Sequence, residues 1–269
     1  MLDRFRESAR EKLQRAVAEV LAAENARARQ EQQDRHTEMM AALGRIDESL
    51  QAVVTRMADT EYRARRDISY AQDARAAQQS ADFVLESMPT AKVFWESQDT
   101  LRYALGEIKG PGLALEFGVA TGGTLRIIAD AVGADRVVAG FDVFTGLPET
   151  WRTGFPAGEF AQEPPEVAGA TVIAGLFDDT LPVFLAGTDE PIAFMHVDCD
   201  LYSSTKTVLD LTGDRLVPDA VVVFDEFFNF PGWQRHEYRA WSEFLDRTGR
   251  SFEYLAYTGN HEQVVVRLN

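Results

Sequence analysis

The chain has 269 residues, 45% of them hydrophobic, and a formal net charge of −16. That length suits one α/β domain plus an appendage, and the acidity disfavours nucleic acid and anionic membranes, whose phosphates it repels. There is no long uncharged apolar run, no signal-like segment in MLDRFRESAREKLQ, and a single cysteine, Cys199, so the expectation is a cytoplasmic protein with no membrane insertion and no internal disulfide.

Residues 1–88 contain no proline and one glycine, Gly44, and are rich in Ala, Arg, Gln and Glu. These are helix-compatible residues. Met39, Leu43, Ile46, Leu50, Val53 and Met57 alternate between spacings of four and three, which is the a/d seam of a coiled coil. A shorter seam runs through Leu13, Val17 and Val20, and the NARARQEQQDRHTE stretch between them is almost wholly polar. Two readings stand: an interrupted coiled coil that makes a homo-oligomer, or one helix docked on its own domain. The first is the expectation, with residues 1–80 as an oligomerisation region and 81–269 as the catalytic domain.

Large apolar residues return in ADFVLESMPTAKVFWESQ, and Pro89 marks a boundary. Lys92 to Ile108 reads as an amphipathic helix. Strand and helix then alternate. Strands are expected at Leu113–Phe117, Arg136–Phe141, Thr171–Ala174, Ile192–Val197 and Ala220–Phe224. Helices are expected at Thr124–Val132, Thr180–Ala186, Ser203–Arg215 and Trp233–Arg247. Phe252–Tyr257 and Gln263–Leu268 form a terminal hairpin around Thr258-Gly259-Asn260-His261. This order predicts a doubly wound, mostly parallel, seven-stranded α/β sheet, with ligands at the carboxyl ends of its strands.

The stretch LALEFGVATGGTL is a buried strand that feeds a helix through a glycine turn, a geometry that lets backbone approach a nucleotide-like ligand closely. Neither the G-x-G-x-x-G fingerprint nor a Gly-Lys-Ser/Thr follows, so phosphate-binding signals are absent. The candidate cofactor-binding residues are Glu116, Phe117, Gly118, Thr121 and Gly122, with Asp142 at the next strand end placed to accept hydrogen bonds from ribose hydroxyls. A nucleoside of little negative charge fits, and S-adenosylmethionine is the candidate.

Asp198, Asp200, Asp225 and Glu226 follow two adjacent strands. Carboxylates so close repel one another, and a divalent cation relieves the repulsion. An oxygen-only donor set points to Mg²⁺, with Mn²⁺ and Ca²⁺ open. The alternative is that these acids cap helices and line turns; Asp200, near the helix start at Ser203, suits that role best. The loop from Phe144 to Val167 carries Trp151, Phe155 and Phe160 among glycines and prolines, as a lid or a packed insertion.

Taken in order and spacing, EFGVATGGTL, GFDVFTGLPETW, HVDCDLYSST and VVVFDEFFNFPGWQRHE resemble the class I S-adenosylmethionine methyltransferases. More narrowly they resemble the macrocin O-methyltransferase group, which is magnesium-dependent and methylates sugar hydroxyls. The resemblance covers roughly Glu86 to Asn269. It implies Asp198, Asp225 and Glu226 as metal ligands and adenine contacts near Asp178 and Asp179, where helix capping is an equal explanation. It implies a small-molecule or glycan hydroxyl as acceptor. Catechol-type relatives place a lysine three residues after the first metal acid; here that residue is Leu201. The base is therefore sought among Asp198, Asp200, His196 and His236, with Asp198 and His236 the catalytic candidates. Cys199 is given no role. The rival readings are a metal-dependent hydroxylase on the same fold and a non-catalytic coiled-coil scaffold.

Overall fold

The computed structural model describes the backbone of residues 2–269 and the side chains of residues 7–269; Met1, at the head of the expected helical region, lies outside the described residues. The chain divides into two compact units, residues 1–67 and 68–269. The boundary expected after residue 80 falls inside a helix of the second unit, α2 (Ile68–Ser87).

The first unit is a single helix, α1 (Leu2–Arg66). Its composition favours helix at nearly every position, and pairs four residues apart, such as Gln30 on Asp34 and Gln51 on Asp47, support its surface. The seam residues Met39, Leu43, Ile46, Leu50, Val53 and Met57 are all more than half exposed.

In the second unit, β1 (Lys92–Phe94), α3 (Ser97–Gly106), β2 (Leu113–Phe117), α4 (Gly123–Val132), β3 (Val138–Asp142), β4 (Thr171–Ala174) and α5 (Phe177–Ala186) follow α2. Then come β5 (Ile192–Val197), α6 (Tyr202–Thr212), β6 (Leu216–Phe224), α7 (Glu237–Thr248), β7 (Phe252–Thr258) and β8 (Val264–Leu268). They form one eight-stranded sheet in the order β1-β7-β8-β6-β5-β2-β3-β4, with β8 antiparallel to both neighbours. The strand beyond the expected seven is β1. The stretch read as one helix from Lys92 begins instead as an edge strand, because Lys92–Phe94 pairs in parallel with Ala256–Thr258. The helix proper starts at Ser97.

Side-chain alternation divides the core. Leu113, Leu115, Phe117, Met195, Val197, Val222 and Phe224 pack under α5, α6 and α7. Ala114, Phe194, Val221, Val223 and Val265 pack on the other face with α3 and α4. By the same period Glu116, His196, Asp198, Asp225 and Gln263 fall on that second face. The chain runs outward from β2 to β3 and β4, then returns to β5 on the opposite side of β2. The switch point lies between β2 and β5, where a doubly wound sheet opens a crevice at its strand ends. No helix among the described residues is long and apolar enough to cross a membrane.

Candidate functional site

At that switch point the chain needs glycine. The Gly118 N–H donates to the Phe141 carbonyl (2.9 Å), while the Asp198 N–H donates to the Phe117 carbonyl (2.8 Å). Gly118 has φ +93°, and a Cβ there would stand 1.6 Å from the Asp198 carbonyl oxygen. Asp142 fixes the same turn: one carboxylate oxygen accepts the N–H groups of Val119 (3.0 Å) and Ala120 (2.9 Å), and the other accepts that of Phe144 (2.9 Å). Gly122 (φ +75°) opens α4, where a Cβ would strike Val167 at 2.7 Å.

A cavity of about 540 Å³ lies over this turn, within the ~300–1,000 Å³ range of small-molecule sites. Its walls include Gly118, Asp142, Asp178, Asp198, Asp200 and Glu226. The loop after β3 roofs it with Trp151, Phe155 and Phe160. That loop is ordered by its own backbone: Gln162 donates to the Phe144 carbonyl (3.0 Å), Leu147 to Glu159 (2.9 Å) and Gly158 to Leu147 (2.9 Å). Arg152 stacks on Trp151 (3.9 Å to the ring centroid) and Phe230 (4.7 Å) and pairs with Glu262 (3.1 Å). The loop is thereby tied to the β7–β8 turn.

Other expected residues sit elsewhere. Glu116 is fully buried, and Phe117 is a core side chain stacked on Phe141 at 5.4 Å; neither side chain lines the cavity. Thr121 and Asp179 are exposed and also off its walls. Asp178 and Asp179 occupy the first turn of α5, with Leu176 rather than either acid at the N-cap. There they suit the positive end of the helix dipole. His236 is absent from the cavity wall. It packs against Phe230 (5.4 Å), and burial with Arg235 and Arg152 nearby lowers its pKa. Cys199 is buried, and its thiol is pushed well up by burial first, so it is a poor nucleophile.

Beneath the cavity lies a charged cluster. His196 Nδ1 stands 2.9 Å from Glu116 Oε1, and Nε2 stands 3.5 Å from Asp225 Oδ1. Gln263 Nε2 donates to Asp225 Oδ2 (3.0 Å) and lies 3.0 Å from His261 Nδ1. His196, Asp198 and Asp225 each offer a ligand atom, and these atoms lie within 4.8 Å of one another. Burial and the Asp225 carboxylate push Asp198 well above the usual carboxylate range, and the same two causes raise Glu226. Burial also lifts Asp200, helped by Asp225 against the pull of Arg152, to about 7. Asp225 is held low: burial works against its charge, but the neighbouring His196 imidazole and the hydrogen bond from Gln263 prevail. Glu226 Oε2 is buried without a hydrogen-bond partner. An orphaned carboxylate oxygen beside mutually repelling acids is a donor set suited to a divalent cation.

Sequence reasoning missed Arg152, His261 and Glu262 as members of the cavity wall. All three come from loops, and no periodicity marks them. Cross-strand register is the signal for Glu116 and His196: they are direct partners on β2 and β5.

Residues 115–227 match the family model described as a methyltransferase domain. No curated protein matches the chain. Among solved structures, CalS11, a calicheamicin methyltransferase, is 22% identical over 75% of this chain and 93% of its own, with a TM-score of 0.53. The O-methyltransferase NovP is 21% identical over 63% of this chain and 78% of its own, with a TM-score of 0.48. An O-methyltransferase from Bacillus cereus in complex with SAH is 17% identical over 78% and 96%, with a TM-score of 0.46. At such identities the likeness to CalS11 is one of fold, and the function rests on the matched domain. The glycine turn and the switch-point crevice agree with that match: residues 115–227 form a methyltransferase domain, set in a fold shared with CalS11.

Proposed function

We propose that this protein is an O-methyltransferase that moves a methyl group from S-adenosylmethionine to a hydroxyl of a sugar or glycosylated metabolite, assisted by a divalent cation, with Mg²⁺ the first candidate. The observation that carries the reading is the single cavity that joins the Gly118 turn and Asp142 to Asp198, Glu226 and an aromatic roof. The turn and Asp142 would seat the nucleoside, with Asp178 at its far end. Trp151, Phe155 and Phe160 offer flat apolar faces, which suit the C–H faces of a sugar ring. CalS11, which shares the fold, is named as a calicheamicin methyltransferase.

Asp198, Asp225 and Glu226 would hold the cation. When bound, the ion supplies Lewis acidity that lowers the pKa of an acceptor hydroxyl. Asp198 and Asp200, both on the cavity wall, would take the hydroxyl proton; His236 lies off that wall. The aromatic roof excludes water and orients the acceptor, and such positioning supplies roughly 7–11 kcal/mol of a barrier in the best cases.

The exposed seam of α1 supports pairing with a second copy, since a lone helix with so many exposed apolar residues gains stability by burying them. Calorimetry with S-adenosylhomocysteine tests the donor site: binding is expected, and a protein that takes NAD⁺ but not this nucleoside would overturn the reading. Turnover with labelled methyl donor against a panel of glycosides then tests the acceptor class.

A further inference from the structure

The imidazole of His196 is the one nitrogen donor in the buried cluster. It is 1% exposed and sits on β5, two residues before Asp198, which follows the strand's end. Its two ring nitrogens are treated differently. Nδ1 makes a short contact of 2.9 Å with Glu116, which is itself fully buried. Nε2 faces Asp225 at 3.5 Å, well beyond the ~2.7–2.9 Å of a charge-assisted N–H···O bond. A histidine that simply bridged two carboxylates as a cation would be drawn close to both. Here the ring is held firmly on the Glu116 side and loosely on the side of Asp198 and Asp225.

Such a carboxylate behind a histidine fixes the tautomer of a metal ligand: Nδ1–H donates to the acid, and the Nε2 lone pair faces the ion. The spacing suits an ion. Ligand atoms at about 2.1 Å from a cation lie about 3.0 Å apart when adjacent and about 4.2 Å apart when opposite. The observed 3.5 Å exceeds the adjacent spacing by about 0.5 Å, and the 4.8 Å limit for the group exceeds the opposite spacing by about 0.6 Å, so the ligand atoms would close by about half an ångström on an ion. Glu226, whose Oε2 is buried and unpartnered, is not among the residues whose ligand atoms come within that limit.

We infer that His196 Nε2 is a direct ligand of the cation held with Asp198 and Asp225, and that Glu116 is the residue that orients it. The inference rests on the metal reading above and deepens it: one imidazole among carboxylates favours Mn²⁺ and later first-row ions over Mg²⁺, which keeps to oxygen.

The experiment loads metal-free protein with Mn²⁺ alone and records pulsed EPR. A directly bound imidazole should give ¹⁴N modulation, and protein grown with ¹⁵N-histidine should replace it by the ¹⁵N pattern. Neither measurement needs a variant that might misfold. His196→Gln, checked for fold by circular dichroism, should lose the nitrogen signal and weaken Mn²⁺ binding, and Glu116→Gln, which removes the orienting partner, should weaken it roughly 10–100-fold, while His261→Ala keeps the signal. Mn²⁺ bound to wild-type protein without nitrogen coupling would overturn the inference and leave an oxygen-only metal site standing. No Mn²⁺ binding to wild-type protein would overturn the metal reading itself.

Discussion

Gly118→Ala tests the contact on which the site is built. The new Cβ would lie 1.6 Å from the Asp198 carbonyl oxygen and 2.6 Å from its carbonyl carbon, where ordinary contact begins at 3.4 Å. The turn and the end of β5 would have to part by about 1.8 Å, the difference of those first and last distances. Both are backbone, so no rotamer change relieves the clash, and the separation stretches the Asp198 N–H bond to Phe117. A strained left-handed backbone costs about 1–3 kcal/mol for a non-glycine residue, and overpacking adds about 1–3 kcal/mol. Gly154 supplies the control: its φ is +95°, but nothing lies within 4 Å of its Cβ position. Gly154→Ala therefore carries the strain without the clash. For a unit of this size the clash should lower Tm by roughly 2–12 °C beyond the control. Calorimetry on the Gly118 variant should also show loss of S-adenosylhomocysteine affinity. Equal melting temperatures for the two variants, with nucleoside affinity intact in both, would refute the argument that this close approach defines the donor seat.

Four further outcomes are expected. Asp225→Ala should abolish metal-dependent turnover and leave S-adenosylhomocysteine affinity within a few-fold; full wild-type activity in EDTA would count against the cation. Arg152→Ala removes the Glu262 pair and the stacking on Trp151 and Phe230, so KM for the acceptor should rise with little change in donor binding, as steady-state kinetics will show. Removal of residues 1–67 should lower the number of chains per particle seen by light scattering, and an unchanged number would refute pairing through α1. Glu107 is held below the usual carboxylate range chiefly by its hydrogen bond from Arg267. Its lowered folded-state pKa means that its stabilisation is complete above about pH 4.5, the ordinary glutamate value, and is lost as pH falls through the folded pKa. The Tm of Glu107→Gln should lie below wild type at pH 7 and converge with it in acid.

Much of the architecture was legible because burial imposes a period. The central strands β2 and β5 begin and end where their apolar runs do, and the acids that follow them mark the crevice. The edge strand β1 was not legible: three residues with two exposed side chains carry little pattern, and their partner lies at the far end of the chain. The site was legible in its acids and less so in its neighbours. Glu116 reads as part of a cofactor turn until the register sets it against His196. His236 follows a strand end in sequence, yet it packs against Phe230 and lies off the cavity wall. Arg152 and Glu262 meet across 110 residues, a pairing that no local spacing encodes.

The aromatic loop is closed at its base. Phe144 meets Asp142 through its N–H and Gln162 through its carbonyl, and the Leu147 pairs with Gly158 and Glu159 form a second cross-tie. The entropy of closing a loop grows slowly with length, by only about 0.6 kcal/mol for each doubling. Residues added between Arg152 and Phe155, beyond both ties, therefore reshape the roof at the cost of the small backbone turn there, in which Trp151 donates to Phe155 and Phe155 to Arg152, while the Arg152 anchor to Glu262 stays on the near side. A protein designer could exchange that tip to change which acceptors enter while retaining Phe144 and Gln162 as fixed graft points. The donor turn, anchored by the other oxygen of Asp142, would keep its geometry throughout.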